Sequence, residues 1–141
     1  MLGAHVPVAG GLHRAPENGR TIAAEAIQVF TRSQLQWKAR PVGKREAAAF
    51  RTALASSGVQ SVLAHGSYLV NLGSPFPAAL RRSRAAFLAD MARCHALGIR
   101  YLVFHPGAHM GAGEKAGLAA IARSIDHVLE RAPALDVKPL P

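Results

Sequence analysis

The sequence predicts an α/β fold in which short buried strands alternate with helices. Apolar runs begin near residues 2, 26, 61 and 101, and a stretch with helical periodicity follows each of them. Consecutive strands joined by helical crossovers imply a parallel sheet. Two architectures fit this order: a small open doubly wound sheet, or the first four units of an eight-fold (β/α)8 barrel.

The first unit is the least regular. A strand is predicted at residues 2–6, because Pro7 stops it and a glycine-containing loop follows. A weak helix is expected within residues 12–24. Pro16 and Gly19 lie inside this range, and both residue types disfavour a helix interior, so an interruption is expected around them.

The second and third units are clearer. A strand is predicted at residues 26–31, and an alanine-rich helix at residues 43–56 follows a polar loop. The third strand is predicted at residues 61–65. Its helix begins within residues 74–77, where prolines suit a first turn, and ends at Gly98.

The fourth unit centres on a short apolar run at residues 101–104, which Gly98 precedes and a proline–glycine pair follows. A glycine-rich loop then leads to a helix that Pro133 stops. One face of this helix is apolar and carries Leu118, Ile121, Ile125, Val128 and Leu129. A fifth strand could begin at Val137.

Three of the predicted strands end at, or are followed by, a histidine, namely His5, His65 and His105. In barrels of this kind the C-terminal strand ends meet at one mouth, where the chemistry takes place, so the pattern favours the barrel over the open sheet. Neutral imidazole is a good zinc ligand, and a catalytic zinc needs about three protein ligands. The three histidines therefore indicate the beginnings of a metal site, although each could instead only cap its strand by hydrogen bonding.

Size and charge set broad limits. The chain has 141 residues, enough for one domain with a core, and a net charge of +9 that favours an anionic partner such as nucleic acid. Cys94 is the only cysteine and is expected to be a buried thiol. No apolar run reaches the ~18 residues of a membrane span, and no secretory leader is evident, so we expect a cytoplasmic protein.

Two loops have side chains suited to nucleic acid. Tyr68, Leu69 and Asn71 follow the third strand and offer an aromatic, an aliphatic and an amide group. Such a loop could wedge into a duplex, or could simply seal the barrel mouth. Trp37 and Lys38 lie in the loop after the second strand, within a basic cluster that could contact phosphates or could form a solvated helix start.

Together these motifs resemble endonuclease IV, the zinc-dependent apurinic/apyrimidinic endonuclease family also called deoxyribonuclease IV. The resemblance runs through about residue 132 and rests on Gly3–Val6 with Ala9–Gly11, Phe30–Trp37, His65–Leu72 and Phe104–His109. It implies a TIM barrel with a trinuclear zinc site. It also implies hydrolysis of a phosphodiester bond 5′ to an abasic site in double-stranded DNA, a step of base excision repair.

The resemblance also implies site residues. His65 and His105 match zinc ligands that would share one ion with a glutamate at the tip of the fifth strand, whereas His5 is not carried over as a ligand. The nucleophile would be a metal-activated water, so no side chain is assigned as catalytic. The residues expected to bind DNA are Tyr68, Leu69, Asn71, Gln34, Trp37 and Lys38.

Two departures from the family pattern stand out. Leu35 occupies a position where family members often have an arginine, and residues 135–141 contain no glutamate for the fifth strand tip. We therefore expect residues 1–141 to form one domain, the N-terminal half of the barrel, able to hold at most one partial zinc site. The complete enzyme is expected to be a monomer, and the fragment could self-associate. A metal-dependent sugar isomerase or epimerase and a non-catalytic DNA-binding fragment are the alternatives.

Overall fold

The chain forms a five-stranded parallel sheet and four helices in the computed structural model, which describes residues 1–141. The strands are β1 (Gly3–His5), β2 (Ala26–Phe30), β3 (Ser61–His65), β4 (Tyr101–Val103) and β5 (Lys138–Leu140). The helices are α1 (Arg14–Thr21), α2 (Lys44–Ser57), α3 (Pro77–Leu97) and α4 (Glu114–Arg131). The four predicted strand–helix units are confirmed.

The strand order decides between the two predicted architectures. The strands lie in the order β1-β2-β3-β4-β5, so every crossover moves the chain one strand further in the same direction. A doubly wound sheet reverses its order at a switch point, and helices then cover both faces. The sheet therefore has the barrel arrangement, with its first four strand–helix units and a fifth strand.

Burial alternates along the strands, because successive side chains point to opposite faces of a sheet. One face is buried beneath the helices and carries Ile27, Val29, Val62, Ala64 and Leu102. The side chains between them, such as Gln28 and Leu63, are only half-buried. That second face corresponds to the inside of the barrel, and it is accessible.

The core fills the space between the sheet and the helices. Phe50, Phe87, Met91 and Leu97 from α2 and α3 are buried against the covered face. Cys94 belongs to the same cluster, which confirms the prediction of a buried thiol. Burial, with Asp90 adding to it, raises the pKa of Cys94 to about 12, so the group stays protonated near neutral pH. No helix combines the length and the apolar character needed to cross a membrane.

The prediction that the first helix is interrupted is wrong. Pro16 lies in the first turn of α1, where a backbone N–H has no acceptor within the helix. The N–H that proline lacks therefore costs no helical hydrogen bond. Gly19 is a packing position, because a Cβ atom there would lie 2.6 Å from Ile27 Cγ2. The glycine therefore lets α1 approach β2 closely and does not break the helix.

The fifth strand forms one residue later than Val137. Residues 138–140 pair in parallel with β4, and the Phe104 N–H donates to the Leu140 carbonyl over 3.0 Å. Pro139 lacks an N–H, which an outer strand of a sheet tolerates. Residues 138–140 include no carboxylate side chain.

Candidate metal and nucleic-acid site

A cluster of five rings lies at the C-terminal ends of β1 to β4, which we call the mouth. Its members are His5, Phe30, His65, Tyr68 and His105. The ring centroids of His65 and His105 are 5.2 Å apart, and Tyr68 stacks on His105 at 5.5 Å with an interplanar angle of 23°. Phe30 lies 5.0 Å from His65, its partner in the register of β2 and β3. The parallel register thus brings side chains from four strand ends together.

His65 is held in one orientation by the backbone. Its Nδ1 atom lies 2.7 Å from the carbonyl oxygen of Gly66. Because a carbonyl oxygen only accepts, Nδ1 carries the proton and Nε2 of a neutral ring keeps its lone pair. Ligating histidines are commonly oriented by a second hydrogen bond of this kind. The local chain therefore leaves the lone pair of His65 Nε2 available to a ligand.

The spacing of His65 and His105 fits a shared ion. Two imidazoles bound to one tetrahedral zinc, with Zn–N bonds of about 2.0–2.1 Å, would have centroids roughly 5 Å apart. The observed separation is 5.2 Å. His5 is further away, 6.5 Å from His65, and its Nδ1 atom is 3.1 Å from Gln28 Oε1. Nowhere do three or more histidine, cysteine or acidic side chains converge as a metal site.

The loop after β3 is anchored on both sides of Tyr68. Ser67 is buried, and its hydroxyl donates to the Gln34 carbonyl over 2.8 Å while accepting the N–H of Leu69. Leu69 is half-buried. Tyr68 is 57% exposed, although its ring touches Phe30, His65 and His105. A fixed backbone therefore presents an accessible aromatic ring beside His65 and His105.

Asn71 joins the loop after β3 to the loop after β4. Its Oδ1 atom accepts the N–H groups of Gly73 and Ala108, and its Nδ2 atom donates to the Ala108 carbonyl, each over 3.0 Å. Gly107 is required beside it, because a Cβ atom there would lie 2.1 Å from Asn71 Oδ1. Most of the hydrogen-bonding capacity of this amide is thus engaged inside the protein. We infer that Asn71 positions the two loops.

The start of the loop after β2 is fixed by an ion pair that sequence reasoning missed. Arg32 and Asp90 are 5% and 3% exposed, and Arg32 Nη2 donates to Asp90 Oδ2 over 3.0 Å. A second bond joins Arg32 Nε to Asp90 Oδ1, and Arg32 also donates to the Gln36 carbonyl. The only sequence feature that indicated this ion pair was Asp90, an acidic residue on the apolar face of α3.

Arg93 holds both ends of the same loop. Its guanidinium donates to Thr31 Oγ1 over 3.3 Å, to the Thr31 carbonyl and to the Arg40 carbonyl. Burial lowers the pKa of Arg93, while Glu46 and Asp90 act in the opposite direction. The charges of α3 therefore set the path of the loop that carries the predicted DNA-binding residues.

Arg40 also donates to Glu46 Oε2 over 2.8 Å. Burial acts to raise the pKa of Glu46, but Arg40, the backbone of Gly43 and the charge of Arg93 together outweigh it, so the pKa lies below its usual value. The stabilisation from this carboxylate is therefore present above the ordinary carboxyl pKa. It is lost as the pH falls through the lowered value.

The residues predicted to bind DNA in the loop after β2 differ in exposure. Gln34 is half-buried, and its Oε1 atom is buried without a hydrogen-bond partner. Trp37 packs against the edge of the core, with the Arg82 guanidinium 4.2 Å from its ring centroid in a cation–π contact. Lys38 is exposed, and Leu35 is 78% exposed.

The fold matches that of known proteins. A family model described as Xylose isomerase-like TIM barrel matches residues 16–140. The chain belongs to this family. Membership confirms the predicted barrel, of which this chain forms one five-stranded parallel sheet.

Within the xylose isomerase-like TIM barrel family, the chain is similar to curated relatives named "Probable endonuclease 4". It is 46% identical to the protein of Halorhodospira halophila over 132 residues, which are 94% of this chain and 44% of the relative. It is 42% identical to the protein of Chloroflexus aurantiacus over 128 residues, which are 91% and 45%. The chain thus spans about half the length of these relatives.

Comparison with solved structures agrees with the sequence comparison. The structure of endonuclease IV from Thermus thermophilus matches with a TM-score of 0.82 and 30% identity, over 94% of this chain and 47% of that one. A D-psicose 3-epimerase from Clostridium cellulolyticum matches with a TM-score of 0.70 at 14% identity, over 99% and 51%, which shows a shared fold alone. The resemblance to endonuclease IV is confirmed.

The buried ion pair gives a direct test of the loop anchor. Asp90→Ala leaves the Arg32 guanidinium buried without its partner, so we expect the free energy of unfolding to fall by roughly 3–5 kcal/mol. Asp126→Ala, at an exposed position of α4, is the control and should change it by less than about 0.5 kcal/mol. Urea unfolding followed by circular dichroism measures both.

The combined change Arg32→Met with Asp90→Leu removes both charges and should recover much of the lost stability. An Asp90→Ala variant as stable as the Asp126→Ala control would show that the pair does not hold the loop.

Proposed function

We propose that this chain supplies zinc-binding and DNA-recognition residues of an endonuclease that acts on abasic sites in double-stranded DNA. The observation that carries the proposal is the pair His65 and His105, 5.2 Å apart, with the exposed ring of Tyr68 stacked beside them. Metal ligands beside an accessible aromatic ring suit a phosphodiester substrate with an unfilled base position. The relatives named "Probable endonuclease 4" support the same class of reaction.

The metal part of the proposal concerns two residues. His65 would bind zinc through Nε2, since its Nδ1–H is held by the Gly66 carbonyl, and His105 would bind from the loop after β4. A bound zinc ion would supply a Lewis acid for phosphodiester hydrolysis. A catalytic site needs about three protein ligands, so these two histidines form an incomplete one. The glutamate expected from the family pattern has no counterpart in β5.

Tyr68 and Leu69 are proposed to enter the duplex at the lesion. An abasic site leaves a gap in the base stack, and a flat aromatic ring can fill such a gap because stacking does not depend on base identity. Tyr68 is exposed and its backbone is anchored by Ser67, so little ordering is needed on binding. Leu69 would support it from the same loop, and Asn71 would keep that loop beside His105.

The loop after β2 is proposed to contact the DNA backbone. Lys38 is exposed and makes no ion pair, so its charge is available to a phosphate. Gln34 is proposed to act from the same loop, where its backbone carbonyl accepts the Ser67 hydroxyl next to Tyr68. Trp37 forms the apolar side of this surface.

Two other functions compete with this proposal. A sugar isomerase or epimerase would share the fold, but a small neutral sugar requires neither a net charge of +9 nor an exposed ring such as Tyr68. A non-catalytic DNA-binding role would use the same loops without turnover, and the two-histidine site favours it for these residues alone. Binding preference and turnover separate the three.

Tyr68 should account for lesion preference. Aromatic stacking on a nucleic acid contributes about 1–3 kcal/mol, so Tyr68→Ala should reduce the preference for an abasic over an intact duplex by roughly tenfold. Binding to the intact duplex should change much less. Fluorescence anisotropy with the two duplexes measures both affinities.

Phe76→Ala is the matched control, because Phe76 is also 57% exposed but lies outside the ring cluster. If Tyr68→Ala weakened both duplexes equally, Tyr68 would be a packing residue only.

Residues 1–141 alone should show no multiple-turnover cleavage of an abasic duplex, even with excess zinc. The reason is the ligand count, because two histidines leave zinc short of the roughly three protein ligands of a catalytic site. Gel analysis of a labelled duplex with one abasic site measures the product, and a panel of ketose and aldose sugars tests the alternative. Cleavage that disappears in His105→Ala would show that the present residues suffice, and turnover of a sugar would overturn the proposed substrate.

A further inference from the structure

A groove between α3 and α4 is lined by four basic side chains, all of which lie outside the mouth. They are Arg81 and Arg84 of α3, and His127 and Arg131 of α4. The groove has a volume of about 330 Å³. Its remaining lining is apolar and comprises Ala85, Leu88 and Val128. No acidic side chain lines this groove.

The charges in the groove have no counter-ion. The ion pairs of the chain involve Arg14, Arg32, Arg40, Arg100 and the N-terminal amine. The three groove arginines are absent from that set. Arg84 donates to Ser124 Oγ over 3.0 Å, which directs its guanidinium along the groove but does not neutralise it.

Arg131 contacts His127 as a donor. Its Nη1 atom lies 3.0 Å from His127 Nδ1, and since arginine can only donate, Nδ1 accepts and the ring is neutral with its proton on Nε2. Burial lowers the pKa of His127, Arg131 and Arg84 lower it further, and Glu130 acts in the opposite direction. An anion placed in the groove would favour the protonated ring and would raise this pKa.

A second groove continues the positive surface towards the mouth loops. It has a volume of about 400 Å³, and Trp37, Lys38 and Arg82 line it. Ala85 lines both grooves, so they adjoin across α3. We call the joined surface the basic band, and its cations are Lys38, Arg82, Arg81, Arg84 and Arg131.

Helix stability does not account for this arrangement. Arg131 and His127 lie near the C-terminus of α4, where the helix dipole favours cations. The positions on α3 are different. Arg81 and Arg82 lie beyond the first turn of α3, where the helix dipole gives cations no advantage. An anionic ligand would compensate charges that the helix itself does not favour.

We propose that the basic band is a second nucleic-acid binding surface, outside the mouth, that holds backbone phosphates of duplex DNA without regard to sequence or damage. Arginine guanidinium groups are well suited to phosphate, and a band of four cations on two helices and one in the loop after β2 suits the repeated charges of a duplex flank better than one small anion. The band shares Lys38 and Trp37 with the loop proposed to contact abasic DNA. Its cations on α3 and α4 require neither zinc nor a lesion.

The test measures the salt dependence of binding to an intact duplex between about 50 and 200 mM salt. The triple variant Arg81→Ala, Arg84→Ala, Arg131→Ala should bind about tenfold more weakly or worse, and its log–log salt slope should be shallower by roughly 2–3. The matched control removes Arg20, Arg100 and Lys138, which line neither groove of the basic band. It causes the same loss of charge and should leave the slope nearly unchanged.

A second variant guards against loss of structure. Arg81→Ala with Arg131→Ala keeps the Arg84–Ser124 bond, and its slope should be shallower by roughly 1.8.

In the unaltered chain, DNA should raise the pKa of His127 in an NMR titration. Equal slopes for the triple variant and its control would overturn the proposal. The proposal would also be overturned if inorganic phosphate alone saturated the His127 shift and the triple variant bound DNA unchanged. These two results together would identify a small-anion site.

The mouth variant separates this inference from the proposed function. Tyr68→Ala should lose lesion preference but keep most of its affinity for the intact duplex, because the cations of the basic band are intact. Loss of intact-duplex affinity in Tyr68→Ala equal to that in the triple variant would place intact-duplex binding at the mouth and would contradict a separate surface.

Discussion

The register of β2, β3 and β4, together with helices on only one face of the sheet, determines where the central side chains of the mouth lie. Phe30 pairs with His65, and His65 pairs with Val103, so these residues share one level of the sheet and the same face. A shift of one residue would turn His65 towards the helices and a buried alanine towards the mouth. The packing of Ile27, Val29, Val62 and Ala64 beneath α1 to α3 prevents that shift. The core thereby positions the site.

The loops extend this order beyond the strand ends through polar contacts. Asn71 joins the loop after β3 to the loop after β4, and Arg32 and Arg93 join the loop after β2 to α3. The contacts of Arg32 and Arg93 satisfy groups that would otherwise be buried without partners, so breaking one of them is costly. The rings of Tyr68 and His105 are accessible while the backbone that carries them is fixed. This combination suits recognition of a substrate with a fixed shape.

Local sequence patterns were sufficient for most of the fold. Apolar runs bounded by glycine and proline predicted β3 and β4, and strand-end histidines predicted the end of the sheet where the ring cluster lies. Contacts between distant residues were not predictable in this way. Arg32 and Asp90 are 58 residues apart, and Asn71 and Ala108 are 37 apart, so no local period indicates that they meet. The continuity of α1 also depended on a distant contact, the approach of Gly19 to Ile27.

Binding of one zinc ion by His65 and His105 is tested most directly by long-range ¹H–¹⁵N NMR of the imidazole rings, with and without zinc. Without metal, His65 should carry its proton on Nδ1, since that atom donates to the Gly66 carbonyl. Addition of zinc should then shift the Nε2 resonance of His65 and a ring nitrogen of His105 at the same stoichiometry. His95, exposed on α3, should remain unchanged. Zinc that shifts His95 as strongly, or that shifts only one of the two mouth histidines, would contradict a shared site.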